Sequence, residues 1–221
     1  MPMERWATFD CYGTLVDWHG GVRAELARLW PDEDAGALLQ RYLSIEPQVQ
    51  AGRGVAYRSV MADTLAEVAA AEGLTLPESE RDALGAALPG WRVFPEVPAA
   101  LTELRERGWK LAILSNTDRD FLDASLGAIG VSVDLSVVAS EIGSYKPAHE
   151  HWNVFFERSA APRAGHVHVA ASLFHDIAPA AELGLTAVWI DRDGETSDLP
   201  RAATLTDLAS LPDSLDELVP G

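Results

Sequence analysis

From Phe94 to Ile190 the chain alternates between strand-like and helix-like stretches, and this alternation constrains the fold more than any other feature. Lys110-Leu111-Ala112-Ile113-Leu114-Ser115, Leu135 to Ala139, His166-Val167-His168-Val169-Ala170 and Thr186-Ala187-Val188-Trp189-Ile190 read as strands, mostly short apolar runs of the kind buried in parallel sheets. Helical patterns separate them. One starts at Pro98, carries Leu101 and Leu104 and stops at Gly108. Asp118 can cap the next, which carries Phe121, Leu122, Leu126 and Ile129. Trp152, Phe155 and Phe156 form a helix face after Pro147, and Asp176 to Leu183 reads as a helix stopped by Gly184. Strands joined through helices pair in parallel, which predicts an α/β fold with a doubly wound parallel sheet. The tail with Leu205, Leu208, Leu211, Leu215 and Leu218 is expected to pack on the outside.

One further strand stands apart, near the start. Trp6, Thr8 and Phe9 favour extended backbone, and Gly13 supplies a turn after Asp10. Between this strand and Phe94 the pattern is helical throughout. Val22, Leu26, Leu29 and Trp30 form one stripe; Leu38, Tyr42, Ile45 and Val49 form a second, ended by Gly52 and Gly54. Met61, Leu65 and Val68 mark a third helix, stopped at Gly73, and Leu84 and Leu88 a fourth. Four consecutive amphipathic helices can pack as a small bundle. The expected organisation is a core from residues 1–17 and 90–221, with residues 18–89 inserted as a helical cap. Gly20-Gly21 and Pro89-Gly90 are candidate hinges.

Composition narrows the partners. The formal net charge of -17 argues against nucleic acid. It also repels small anions, over a range that salt limits to roughly 8 Å, so an anionic ligand would need local cations. No apolar run is long enough to span a bilayer, and the first residues lack a signal-peptide pattern. Cys11 is the only cysteine, so no intrachain disulfide forms, and a cytoplasmic protein is expected.

In an open parallel sheet, chemistry collects beyond the carboxyl ends of the strands. The polar residues there are Asp10, Tyr12 and Thr14; Ser115, Asn116 and Thr117; Ser144, Tyr145 and Lys146; and Ser172 and Asp176. This set suits covalent catalysis by a carboxylate. Lys146 can hold Asp10 as an anion, Thr14 and Ser115 can donate to it, and Asp176 can orient or deprotonate a water. Simpler roles exist: Asp10 as a turn cap, Asp176 as a helix cap, Lys146 as a solvated lysine. Cys11 alternates with Asp10 along the strand, so its thiol should point away. His149 with His151, and His166 with His168, lack the carboxylate or cysteine partners of a zinc site. Trp18 is a candidate pocket wall.

Phe-Asp10-Cys-Tyr12-Gly-Thr14-Leu, Leu-Ser115-Asn116, Tyr145-Lys146-Pro147 and Ser172 with Asp176 resemble, in order and spacing, the four motifs of the haloacid dehalogenase superfamily. Most members are magnesium phosphatases with a second Asp two residues after the nucleophile, where this chain has Tyr12, and an acidic residue where it has Ser172. The Asp-x-Tyr-Gly-Thr-Leu form resembles the (S)-2-haloacid dehalogenase branch. That resemblance implies a Rossmannoid core with a helical cap, no metal and no cofactor, and a small anionic 2-haloacid as substrate. It implies displacement of halide by Asp10, then hydrolysis of the aspartyl ester to a 2-hydroxy acid. It assigns Asp10, Thr14, Ser115, Lys146, Ser172 and Asp176 to catalysis, and Tyr12, Asn116 and the backbone of Cys11 to substrate binding. Family members also use a cap arginine; Arg41 is the candidate, with Arg53 and Arg58 as competitors. Relatives often dimerise. Leu173-Phe174-His175 departs from the better-known dehalogenases, which carry an Asn beside the serine. A magnesium-dependent phosphatase acting on a small phosphate ester is the rival reading, and a binding protein that kept the fold is a second.

Overall fold

The computed structural model describes residues 3–51 and 56–221. Its strands are β1 (Arg5–Phe9), β2 (Trp109–Ser115), β3 (Leu135–Val138), β4 (His166–Ala170), β5 (Thr186–Ile190) and β6 (Ala203–Leu205). They form one six-stranded sheet in the order β3-β2-β1-β4-β5-β6, and every pairing is parallel. Strand β1 therefore runs down the middle, between β2 and β4. Strand β6 lies in the stretch expected to pack outside. Three residues are too few to show a period, and none of them is fully buried.

Alternation along the strands divides two packing layers. Ala7, Phe9, Leu111, Ile113, Val167 and Val169 face one, with α5 (Val97–Glu106) and α10 (Leu211–Leu218). Trp6, Ala112 and Leu114 face the other, against Trp152 and Phe155 of α8 (Glu150–Ser159). Helices α6 (Arg119–Ile129), α7 (Ala139–Ile142) and α9 (Ala178–Glu182) complete the flanks. The helix expected from Asp176 begins instead with a wider π turn over Leu173–Ile177, which continues into α9.

Between β1 and α5 lie α1 (Trp18–Leu29), α2 (Ala35–Gln50), α3 (Tyr57–Glu72) and α4 (Ala83–Ala87). The turns ascribed to Gly52 and Gly54 fall outside the described residues. The chain leaves and re-enters the sheet side by side: Val16 bridges Val93, Asp17 N–H donates to Arg92 O at 2.8 Å, and Phe94 N–H donates to Leu15 O at 3.0 Å. The two connecting segments thus pair at residues 15–17 and 92–94, a few positions from Gly20-Gly21 and Pro89-Gly90. Gly21 serves packing, since a Cβ there would fall 2.3 Å from the Trp91 ring.

Asp118 does not cap its own helix. Its carboxylate accepts from the N–H groups of Tyr57 (2.8 Å) and Arg58 (3.0 Å), at the start of α3. That helix has no side-chain cap of its own. An acid from the sheet side therefore satisfies the open end of a helix in the inserted block.

Candidate active site

Strand β1 ends at Phe9, and the backbone then folds tightly. Leu15 and Val16 N–H both donate to Cys11 O, at 2.7 and 3.0 Å, and Gly13 turns the chain at φ +90°. This fold points the hydroxyl of Thr14 back at Asp10. Thr14 Oγ1 donates to Asp10 Oδ2 at 2.9 Å and accepts from Ala171 N–H at 2.9 Å, tying the β1 end to the β4 end.

Lys146 arrives from beyond β3 and is buried, with 1% of its side chain exposed. All three of its N–H groups are used: on Asp10 Oδ1 at 2.9 Å, Leu114 O at 2.8 Å and Asp176 Oδ1 at 2.6 Å. Asn116 fixes this lysine by its backbone, donating from Nδ2 to Lys146 O at 2.9 Å and accepting from Lys146 N–H at 2.7 Å. One ammonium thus serves two buried carboxylates. Burial pushes the Asp10 carboxyl up; Lys146 opposes this, and the charge of Asp176 adds to it. Burial works against ionised Asp176 too, but Lys146 and a hydrogen bond from His168 outweigh it and hold that carboxyl well below the usual range. Burial disfavours the charged form of Lys146, yet its two acidic partners raise it above the ordinary value.

A cavity of about 600 Å³ opens over Asp10. Of the residues expected at the site, Asp10, Tyr12, Ser115, Asn116, Lys146, Ser172 and Asp176 line it. Thr14 sits directly behind Asp10. Ser115 Oγ is buried and without a partner, so its hydroxyl is available to a ligand. Tyr12 presents its ring, while its hydroxyl pairs with Ser125 Oγ at 3.0 Å. Ser172 Oγ accepts His175 N–H at 3.0 Å and so caps the π turn.

Two expected binding residues are not in the lining. Cys11, expected to bind through its backbone, has its thiol fully buried in the core, as the alternation with Asp10 predicts, and burial and then the charge of Asp10 push that thiol up. Arg41 lies on the outside of α2, where Nε donates to Glu72 Oε1 at 2.6 Å. The buried stripe of α2 is Leu38, Leu39, Tyr42, Glu46 and Gln50, and a residue one step before Tyr42 is turned roughly 100° from it. Arg58 pairs with Asp82 at 2.8 Å and covers the Phe121 ring, also outside the lining. Arg53 falls outside the described residues.

The inserted helices face the cavity with a carboxyl instead. Glu46, Leu43, Pro47 and Gln50 of α2 line it, with Trp18 and Tyr57. Trp18 Nε1–H donates to Tyr57 OH at 3.0 Å, and Tyr57 OH donates to Glu46 Oε1 at 2.8 Å. Burial pushes Glu46 up to about 7. Its readable signal is a polar side chain continuing the i, i+4 stripe after Tyr42. Arg192, after β5, also lines the cavity; it donates to Thr14 O at 2.8 Å and to Glu96 at 2.7 Å, and stacks over Phe94. Among the described residues no three His, Cys, Asp or Glu side chains converge as a metal site.

The profile of the haloacid dehalogenase-like hydrolases matches residues 5–184. An (S)-2-haloacid dehalogenase of Pseudomonas sp. (strain YL) is 28% identical over 198 residues, covering 84% of this chain and 82% of that enzyme. A crystal structure of an L-2-haloacid dehalogenase superposes with TM-score 0.87 at 26% identity, covering 97% of this chain and 99% of that one. An L-2-haloacid dehalogenase from Xanthobacter autotrophicus, solved with chloropropionic acid covalently bound, superposes with TM-score 0.80 at 21% identity over 96% of this chain and 98% of that one, a likeness of fold. Fold, ordered strand-end motifs and profile agree, and the chain belongs to the haloacid dehalogenase-like hydrolase family.

Proposed function

We propose that this protein hydrolyses the carbon–halogen bond of small 2-haloacids, through an ester on Asp10 and without a metal ion. Residues 1–17 and 90–221 act as the core in this reading, and residues 18–89 as the cap. The observation that carries it is the shared ammonium of Lys146, in contact with both Asp10 and Asp176.

The magnesium of the family's phosphatases does not fit these residues. Magnesium takes oxygen ligands, held by one or two carboxylates and substrate phosphate. Here the two available carboxylates already point an oxygen at Lys146, Tyr12 gives its hydroxyl to Ser125, and Ser172 caps a turn. Tyrosine is also a poor leaving-group acid, and burial pushes Tyr12 further up. A halide leaves as a stable anion and needs no such acid.

In the first step a carboxylate oxygen of Asp10 attacks the α-carbon, the carbon–halogen bond breaks, and halide leaves with the bonding pair. In the second, water attacks Cγ of Asp10 as Asp176 takes a proton. The Cγ–O bond to the substrate breaks, the alkoxide takes that proton and departs as the 2-hydroxy acid, and Asp10 releases a proton to return as carboxylate. Ser115 Oγ–H is available to the substrate carboxylate or to the departing halide.

Halide release from chloroacetate and both 2-chloropropionate enantiomers, with and without chelator, tests the proposal. Release from the (S) enantiomer at a rate chelator leaves unchanged is expected. No halide, with chelator-sensitive phosphate release from a small phosphate ester, would overturn it.

Glu46 adds a pH dependence. Its folded-state value, about 7, lies above the ordinary 4.5. Between those values the folded state binds more protons, so this residue's contribution falls as pH rises through the window, by about 3 kcal/mol in total. The negative charge gained also repels an anionic substrate. KM for a 2-haloacid should therefore rise about tenfold or more above pH 7. Glu46→Gln should flatten that rise and exceed the parent in stability at pH 8 but not at pH 4. A rise in KM that persists in the variant would contradict this role.

A further inference from the structure

Beneath the site, on the α8 side of the sheet, a buried polar chain reaches Asp176. Thr8 on β1 sits in register with His168 on β4, and His166 lies two residues before His168 on the same face. All three are 0% exposed. Aromatic rings surround them: Trp152 stands edge-on to His168 at 5.2 Å, and Phe155 and Phe156 meet His166 at 5.2 and 5.0 Å. Thr8 Oγ1 lies 2.8 Å from His166 Nε2 and 2.8 Å from His168 Nδ1, and His168 Nε2 lies 2.9 Å from Asp176 Oδ1.

These contacts determine where the hydrogens lie. Ionised Asp176 offers only lone pairs, so His168 Nε2 carries a hydrogen. In the neutral ring Nδ1 is then the acceptor, and the Thr8 hydroxyl donates to it. The Thr8 oxygen in turn accepts from His166 Nε2–H. His166 Nδ1, which meets no partner, is left as a bare lone pair. The opposite direction would bury an imidazolium at His168 and leave an N–H of His166 with no acceptor, both costly in an apolar layer. Burial lowers His166 to about 3, which agrees with a neutral ring there.

We propose that His168 is a positioning residue for ester hydrolysis: its Nε2–H pins Oδ1 of Asp176, in a tautomer fixed by Thr8 and His166. Lys146 donates to that same oxygen. Oδ2 is thereby left buried and unpartnered, on a carboxylate that lines the cavity, as the oxygen that takes the proton of the attacking water. Alkylation of Asp10 does not use Asp176, so the relay should affect the second step alone. This assignment rests on the two-step reading above.

His168→Leu removes the donor; His168→Gln keeps an N–H near the position of Nε2; Thr8→Val removes the hydroxyl that holds the tautomer. With chloroacetate, the first-turnover halide burst should stay within about threefold of the parent in all three. Steady-state turnover should fall about 10- to 100-fold in His168→Leu, with the ester mass accumulating, and recover to within about fivefold in His168→Gln. Thr8→Val should fall in between, and it carries the test if His168→Leu does not fold. Imidazole nitrogen NMR of the resting parent should show hydrogen on Nε2 of His168 and none on Nδ1. Burst and turnover falling together, turnover unchanged, Gln as slow as Leu, or hydrogen on Nδ1 would each overturn the assignment. If the parent releases no halide, the functional reading fails by itself, and the NMR tautomer still decides the relay.

Discussion

Asp10→Asn is expected to abolish turnover, by about 10⁴-fold or more, while leaving the fold intact. The amide keeps the shape of the carboxylate; its oxygen can still accept from Lys146 and its N–H can donate to Thr14 Oγ1, so the β1 turn has no reason to change. It lacks the anionic oxygen that would form the bond to carbon. Lys146 would keep Asp176 as its charge partner at 2.6 Å, so no unpaired ammonium is buried. Thermal stability should therefore stay near that of the parent. Halide release falling less than tenfold in a folded variant would contradict the role given to Asp10.

Lys146→Ala should do more damage, because it removes charge, packing and hydrogen bonds together. The side chain is among the largest fully buried ones and satisfies three acceptors. Without it two carboxylates face each other with no cation. Breaking a buried ion pair from one side costs about 3–5 kcal/mol, and a loss of stability of that order is expected at neutral pH. Both carboxyls would then titrate above their unfolded values. The folded variant binds more protons than the unfolded chain, so its stability falls as pH rises and partly recovers in acid. In the parent, Asp176 is held low, so its contribution is present above the ordinary carboxylate range and lost as pH falls through its folded-state value. The two proteins should converge towards acid pH. Denaturant titrations at pH 4 and pH 8 measure this; a loss that is the same at both would mean packing alone is at stake. Activity should fall by several kcal/mol of barrier, and a loss under tenfold would place Lys146 outside the chemistry.

The two variants probe the part of the site most legible in the sequence. Asp10, Thr14, Ser115, Lys146 and Asp176 each follow a recognisable apolar strand, and parallel pairing brings strand ends together wherever the intervening chain goes. What the inserted helices contribute was harder to read. Arg41 and Glu46 both lie in α2, and the family resemblance offers the arginine as the partner of an anion. Helical phase separates them in the structure: the stripe through Tyr42 buries Glu46 and leaves Arg41 in solvent. Asp118 read as a local cap but closes the end of α3 instead, a contact across 61 positions that no local pattern reveals. His166 and His168 were visible as two residues on one strand face. Their meaning depends on Thr8 lying opposite, and so on the register between β1 and β4.

The bond that Asp10 forms is tested most directly by one turnover in water enriched in heavy oxygen, with enzyme in excess over chloroacetate, followed by mass analysis of the peptide that contains Asp10 and of the glycolate. The heavy atom should appear in the Asp10 carboxyl, and the first glycolate should carry the light oxygen of the enzyme. Heavy oxygen in the glycolate with an unlabelled Asp10 would mean that water attacks the substrate directly, and the covalent account would be wrong.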